Sequence, residues 1–77
     1  MNVTLYTRKG CHLCDVAYQT LVEHGLEPQL VDIDTGADES LRAEFDTCLP
    51  VVEIDGKIRF RGRVEPVLLK RLLSADS

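Results

Sequence analysis

Two cysteines separated by two residues, Cys11 and Cys14, stand at the junction between a strand pattern and a helix pattern. Before them, Val3–Thr7 is β-branched and aromatic with alternating character, which predicts a strand. After them, five residues follow the spacing of one helix face: Cys14, Ala17, Tyr18, Leu21 and Val22. Gly25 stands where a left-handed residue would end this helix, and Gln29–Asp34 predicts a second strand. The first half is therefore a strand–helix–strand unit, whose two strands we expect to be parallel.

The second half of the chain predicts a short helix, a hairpin and a final helix. Asp38 is suited to cap a helix over Glu39–Phe45, and Asp55 with Gly56 joins two alternating runs as a hairpin turn. Pro66 suits the first turn of a last helix. The apolar face of that helix is Leu68, Leu69, Leu72 and Leu73, and residues 74–77 are expected to form a frayed tail. The order βαβαββα predicts an α/β fold with a four-stranded mixed sheet and helices on both faces.

Length and charge narrow the classes of protein that fit. We expect the 77 residues to form one domain, over residues 1–77, and to be a monomer. The net charge of −4 argues against a nucleic-acid partner, and no apolar run approaches the length needed to span a membrane. The first residues lack the basic start and apolar stretch of a signal peptide, so the expected location is cytoplasmic.

The position of the cysteine pair favours redox chemistry. At a helix N-terminus, unpaired backbone N–H groups and the macrodipole favour an anion, so Cys11 is predicted to be the attacking thiolate. Arg8 and Lys9 add positive potential just before it. Cys14 lies one turn further along in the apolar stripe and is predicted to be the resolving thiol. Between the cysteines, His12 either stabilises the thiolate or is an exposed first-turn residue, and both interpretations stay open.

Two other functions compete with this one. Cys11, Cys14 and Cys48 are a possible set of three thiolate ligands for zinc or an iron–sulfur group, with His12 or an external thiol as the fourth. A typical structural zinc site supplies two ligand pairs, whereas this chain has only one CxxC motif, so the favoured interpretation assigns no metal ligand. The third hypothesis is a non-catalytic redox-sensing interaction module. Cys48 is a candidate for an alternative disulfide or a glutathione adduct, but a small, partly buried loop residue is the simpler interpretation.

Taken together, these motifs resemble glutaredoxin-like proteins of the thioredoxin superfamily. The resemblance is carried by Leu5–Thr7, the Cys11–Cys14 motif with His12 and Leu13 inside it, Leu49–Val52, and the hairpin turn at Asp55. It implies the thioredoxin/glutaredoxin fold and a thiol–disulfide oxidoreductase active in cell redox homeostasis. The implied substrates are protein or glutathione mixed disulfides, and the reductant is glutathione or a thioredoxin-reductase-type enzyme. No resident cofactor is implied, although glutathione is a possible co-substrate.

The resemblance also assigns residues around the cysteines. It implies a cis peptide bond before Pro50, and backbone groups at Leu49 that pair with the substrate. Arg8 matches a basic residue that binds glutathione, and Gly62 and Glu65 match part of a motif after the fourth strand. The substrate-binding set implied or inferred is Arg8, Lys9, His12, Leu13, Leu49, Pro50 and Glu65. Arg63 replaces the second glycine of the family's usual pair, so the chain is closer to a glutaredoxin-like branch than to the glutathione-dependent enzymes.

Two charged groups have a simpler interpretation than binding. Arg59, Arg61 and Arg63 alternate, so we expect them to share one face of an edge strand, where they would attract an acidic partner or a carboxylate of glutathione. Discouraging edge-to-edge pairing is the favoured interpretation of these three arginines. The acidic cluster does not match a calcium loop and is interpreted as a solvated turn; its members are Asp32, Asp34, Asp38 and Glu39.

Overall fold

Four strands and three helices follow one another in the predicted order. The computed structural model describes residues 1–75. The elements are β1 (Val3–Thr7), α1 (His12–Glu23), β2 (Gln29–Asp32), α2 (Glu39–Phe45), β3 (Val51–Ile54), β4 (Lys57–Arg61) and α3 (Pro66–Ala75). The strands lie in the order β2-β1-β3-β4. β1 and β2 are parallel, whereas β1–β3 and β3–β4 are antiparallel, so the predicted mixed sheet is confirmed.

The helices cover both faces of this sheet. On one face, Leu21 of α1 and Leu69 of α3 join a buried cluster with alternate residues of β1 and β3, such as Leu5 and Val52. On the other face, Phe45 at the end of α2 is 1% exposed, and its ring centroid lies 5.0 Å from that of Tyr6. Because successive side chains of a strand point to opposite faces, β1 contributes to both layers. The prediction of helices on both faces is therefore confirmed.

The apolar faces of α1 and α3 are narrower than the sequence pattern predicts. Ala17 and Leu21 are buried, but Tyr18 and Val22 are 38% and 43% exposed. Leu68 is likewise exposed, while Leu69 beside it is fully buried. A helix lying on a flat sheet buries only the residues directly beneath it, and the flanking apolar residues remain at the surface. Tyr18, Val22 and Leu68 therefore belong to the apolar helix faces but not to the buried core.

Turn and cap residues behave as their chemistry predicts. The Asp38 carboxylate accepts a hydrogen bond from the backbone N–H of Leu41 at 2.8 Å and caps α2. Asp55 and Gly56 have φ values of 51° and 85°, the left-handed pair that a tight two-residue hairpin requires. Gly25 has a φ of 80° after α1, as predicted.

Two element boundaries differ from the prediction. β2 ends at Asp32 rather than Asp34, because the carbonyl and carboxylate of Asp32 accept hydrogen bonds from the amides of residues 34–36 and start the turn early. α3 continues through Ala75, so Ser74 and Ala75 are helical rather than part of a frayed tail. The rest of that predicted tail, residues 76–77, lies outside the described residues. Within residues 1–75, no helix combines the length and apolar character needed to cross a bilayer.

The arginines of β4 do not share one face. Val52 pairs with Phe60 and Glu53 pairs with Ile58, which leaves Arg59 as the extra residue of a β-bulge. Two further arginines lie elsewhere: Arg61 lies over the ring of Phe45 on the α2 side, and Arg63 comes after the strand has ended. β4 is an edge strand, as predicted. A bulge breaks the two-residue alternation, so the expectation of a common face was wrong.

Candidate active site

Cys11 occupies the N-cap position of α1. β1 ends at Thr7, and the chain turns through Gly10, whose φ is 77°. Cys11 then has extended backbone angles, φ −86° and ψ 100°, and the helix begins at the next residue. The backbone N–H of Cys14 donates a hydrogen bond to Cys11 Sγ at 3.2 Å. The sulfur therefore takes the place of the capping oxygen that a serine or aspartate would supply, at the positive end of the helix.

The two sulfurs are joined, and their exposure differs. Cys11 and Cys14 form a disulfide across a Cα–Cα distance of 5.2 Å. Cys14 is only 2% exposed, because it belongs to the buried side of α1, whereas Cys11 is partly exposed. One cysteine of the pair is thus partly at the surface, and the other is in the interior.

Pairing of β1 with β3 brings the loop before β3 to the end of the sheet where β1 leads into the cysteine pair. Tyr6 pairs with Val51, so Pro50 lies at the same end of the sheet as the end of β1. The Leu49–Pro50 peptide bond is cis, which confirms the prediction for this bond. Pro50 is buried and Leu49 is half-buried. Within residues 1–75, neither backbone group of Leu49 has a hydrogen-bond partner, so both remain available to an extended peptide.

Gly62 fixes that loop from the other side. Its N–H donates to the carbonyl of Cys48 at 2.9 Å and to the carbonyl of Pro50 at 2.8 Å. Gly62 itself has a φ of 84°, a conformation that glycine adopts without strain. The end of β4 therefore holds the two carbonyls that flank Leu49.

The guanidinium of Arg8 forms ion pairs with Asp34 and Asp46. Its Nε and one terminal nitrogen donate to both carboxylate oxygens of Asp34, at 2.9 and 3.1 Å, and the same terminal nitrogen donates to Asp46 Oδ1 at 2.6 Å. The remaining nitrogen donates to the carbonyl of Asp46 at 3.4 Å. Hydrogen bonding to Arg8 holds the pKa of the Asp34 carboxyl below its ordinary value. The structure thus gives Arg8 two carboxylate partners that the sequence analysis missed.

Asp34 also changes the interpretation of the acidic cluster. A turn interpreted as merely solvated supplies the main partner of Arg8 and ties the loop before Cys11 to the turn after β2. Asp46 adds a tie to the end of α2. Neither pairing has a sequence signal, because Arg8 lies 26 residues from Asp34 and 38 residues from Asp46.

The other predicted residues lie at varying distances from this arrangement. Lys9, His12 and Glu65 have exposed side chains with no ion-pair partner within the part of the chain that the structure describes. Cys48 is half-buried, and its thiol donates weakly to the carbonyl of Glu44 at 3.7 Å. Within residues 1–75, no group of three or more His, Cys, Asp or Glu side chains is placed to hold a metal. The structure therefore does not bring Cys48 together with Cys11 and Cys14 as a ligand set.

A groove of about 390 Å³ lies between α1 and the loop after β4. Leu13 and Val16, which are 56% and 49% exposed, form part of its α1 wall. Arg63 and Val64 form part of the opposite wall. Leu13 belongs to the first turn of α1, between the two cysteines in sequence, although neither cysteine lines the groove. We call it the active-site groove.

Comparisons with known proteins agree with this geometry. A family model described as Glutaredoxin-like domain (DUF836) matches residues 2–74. The glutaredoxin-like protein NrdH of Salmonella typhimurium is 32% identical over 74 residues, which are 94% of this chain and 89% of that protein. A structural genomics target from X. campestris has a similar structure, with a TM-score of 0.78 and 28% identity over 95% of this chain and 96% of that one. NrdH-redoxin from Escherichia coli gives a TM-score of 0.70 and 30% identity, over 94% of this chain and 95% of that one. That protein has been described as glutaredoxin-like with a thioredoxin-like activity profile.

Proposed function

Because this chain belongs to the glutaredoxin-like domain family and has the thioredoxin/glutaredoxin fold, we propose that it is a thiol–disulfide oxidoreductase that acts through Cys11 and Cys14. One observation carries the assignment of roles. Cys11 is partly exposed and its sulfur accepts an amide hydrogen bond at the N-terminus of α1, whereas Cys14 is 2% exposed. The exposed sulfur is the one that meets the substrate, and the buried sulfur attacks it from behind.

The reaction uses two exchange steps. In the reduced protein, the Cys11 thiolate attacks one sulfur of the substrate disulfide, forms a mixed disulfide and releases the other substrate sulfur as a thiolate, which takes a proton from solvent. Cys14 then loses its proton, attacks Cys11 Sγ and expels the substrate's second thiol. The substrate gains two electrons and two protons, and the protein is left with the Cys11–Cys14 disulfide. The Cys14 amide stabilises the thiolate before the first step and after its regeneration.

We propose that the substrate is a polypeptide disulfide rather than a glutathione mixed disulfide. The guanidinium of Arg8, the residue expected to hold a glutathione carboxylate, already donates from all three nitrogens to Asp34 and Asp46. The free backbone groups of Leu49 and the active-site groove suit an extended peptide instead. The thioredoxin-like activity profile described for NrdH-redoxin supports the same choice. We therefore also propose a thioredoxin-reductase-type enzyme as the source of electrons.

Cysteine substitutions test the assignment. The reduced protein is mixed with a neutral small disulfide, hydroxyethyl disulfide, and the products are resolved by mass spectrometry. We expect wild type to end as the internal disulfide, and Cys14→Ser to stop as a mixed disulfide on Cys11. Cys11→Ser should not react at a measurable rate, whereas Cys48→Ser should behave as wild type. If Cys11→Ser kept the wild-type rate, the proposed function would be abandoned.

The electron donor has a separate test. Oxidised protein is incubated with glutathione plus glutathione reductase, or with thioredoxin reductase, each with NADPH, and NADPH consumption is followed. We expect consumption with thioredoxin reductase only. Efficient reduction by glutathione would contradict the argument from Arg8 while leaving the role of Cys11 intact. The cytoplasmic location and the monomeric state stay predictions from the sequence.

A further inference from the structure

The basic residues of this acidic chain are concentrated in one segment. Residues 57–71 hold six of the nine Lys and Arg residues and one of the 13 Asp and Glu residues. Residues 1–56 hold only three basic residues and 11 acidic ones. The net charge of −4 therefore conceals a positive segment, made of β4, the loop after it and the first part of α3.

Three arginines of this segment line grooves and have no partner. Arg59 and Arg71 lie on either side of a cavity of about 240 Å³ between β4 and α3, whose apolar lining includes Leu68. Arg63 forms part of the wall of the active-site groove. Within residues 1–75, none of the three guanidinium groups takes part in an ion pair or a hydrogen bond. We call Arg59, Arg63 and Arg71 the basic surface.

The bulge in β4 contributes to this arrangement. A regular strand would turn Arg59 to the same face as Arg61, whose guanidinium is held by Glu44 and the ring of Phe45. As the extra residue of the bulge, Arg59 instead lines the cavity beside Leu68 of α3. The explanation that Arg59, Arg61 and Arg63 discourage strand pairing does not account for Arg63, which lies after β4 in the wall of the active-site groove. Arg71 lies on α3 and was not part of that explanation.

We propose that the basic surface docks an acidic, partly apolar segment of the protein whose disulfide Cys11 attacks. This rests on the proposed function and adds the chemistry of the partner. Arginine binds carboxylates through a planar fork of donors, and unpaired guanidinium groups beside apolar side chains suit a segment in which Asp or Glu alternates with apolar residues. The active-site groove has Arg63 in one wall and Leu13 in the other, so a segment bound there lies along the first turns of α1, where the cysteine pair is located.

Overall charge makes the opposite prediction, which sharpens the test. A molecule of net charge −4 repels an acidic partner at long range, so net charge alone favours a basic partner. Only a local positive surface would make an acidic partner react faster than a basic one. The probes are two synthetic peptides of one sequence, each closed by one internal disulfide and differing only in three flanking Glu or three flanking Lys residues. Reduced protein is mixed with each peptide, and the second-order rate constant for formation of the Cys11–Cys14 disulfide is measured.

We expect the Glu peptide to react about tenfold faster than the Lys peptide at low ionic strength, with the difference nearly lost at about 0.5 M salt. Hydroxyethyl disulfide, which is neutral, serves as the reference for the chemistry itself. If wild type failed to reduce hydroxyethyl disulfide, the proposed function would be wrong. If it reduced that reference but showed no preference, or preferred the Lys peptide, only the docking inference would be wrong.

Charge-reversal variants locate the preference. We expect Arg63→Glu, and the double variant Arg59→Glu/Arg71→Glu, each to lower the ratio of the Glu-peptide rate to the hydroxyethyl disulfide rate by about fivefold or more. Arg42→Glu is the matched control, because it changes net charge equally but lies on α2, away from the basic surface. An equal loss in Arg42→Glu would show that only net charge matters. Equal inhibition by a single-stranded oligonucleotide and by a disulfide-free Glu peptide would show that the basic surface binds any polyanion. Either this result or an equal loss in Arg42→Glu would overturn the proposal.

Discussion

Replacing Gly62 with alanine tests whether the end of β4 positions the loop beside the cysteine pair. An alanine Cβ at this position would meet no atom within 4 Å, so no steric clash is expected. The cost comes from the φ of 84°, which is unfavourable for a residue with a side chain by about 1–2 kcal/mol. For a domain of this size, that cost lowers Tm by about 4–16 °C.

The same substitution should also slow thiol–disulfide exchange. In the alanine variant, we expect the backbone to rotate away from the unfavourable φ. This rotation redirects the N–H of residue 62, which in wild type donates to the carbonyls of Cys48 and Pro50. The intervening Leu49, whose backbone groups we propose as the peptide contact, then shifts relative to Cys11. A displacement well under 1 Å lowers the rate of a positioned reaction by about three- to tenfold. The assay is single-turnover reduction of a peptide disulfide, measured with thermal unfolding of the same samples.

Gly56→Ala is the matched control for this experiment. Gly56 has a φ of 85°, also has no atom within 4 Å of an added Cβ, and lies in the β3–β4 hairpin turn. We expect it to lose a similar amount of stability and to keep the wild-type rate. Equal rates for both variants, measured well below their Tm values, would refute the positional role of Gly62. Unchanged stability in both would refute the argument from backbone conformation.

Three further predictions concern stability and titration. Because hydrogen bonding to Arg8 lowers the pKa of Asp34, its carboxylate stabilises the folded state at neutral pH, and this contribution disappears as the pH falls below about 4. Urea unfolding of wild type and Asp34→Asn should therefore differ at pH 7 and converge in acid. Burial, and then the charge of Glu53, raises the pKa of Tyr6, so absorbance titration should show a phenol ionising above the ordinary range that Tyr6→Phe removes. Leu69→Ala should cost about 2–5 kcal/mol, because Leu69 is fully buried, and the exposed Leu68 should cost under about 1 kcal/mol when changed in the same way.

Each of these has a contrary result. A stability difference between wild type and Asp34→Asn that stayed constant down to pH 2 would show that the ion pair with Arg8 does not control the titration. A Tyr6→Phe protein with an unchanged titration curve would place the high-pH phenol elsewhere. Similar losses in the two leucine variants would contradict the packing of α3 described here.

Local chemistry explains why much of the fold could be predicted. The bounds of β1, α2, β3 and β4 match those read from the sequence, because the cap at Asp38 and the left-handed pair at Asp55 are decided by neighbouring residues. The predicted end of β2 was wrong because the carbonyl and carboxylate of Asp32 accept hydrogen bonds that start the turn two residues early. The spacing of Cys11 and Cys14 at a strand–helix junction likewise placed one sulfur at the N-cap and the other on the buried side of α1.

Long-range pairing decided what the sequence could not. The family resemblance implied that Arg8 binds glutathione, but the fold brings Asp34 and Asp46 to it from distant segments. The bulge at Arg59 arises from the register between β3 and β4, so the direction of its side chain has no local signal. The residue sequence therefore determined the placement of the cysteine pair and the order of elements, since both depend on near neighbours. The tertiary structure decided which charges are neutralised and which remain free, because electrostatic partners depend on distance in space rather than along the chain.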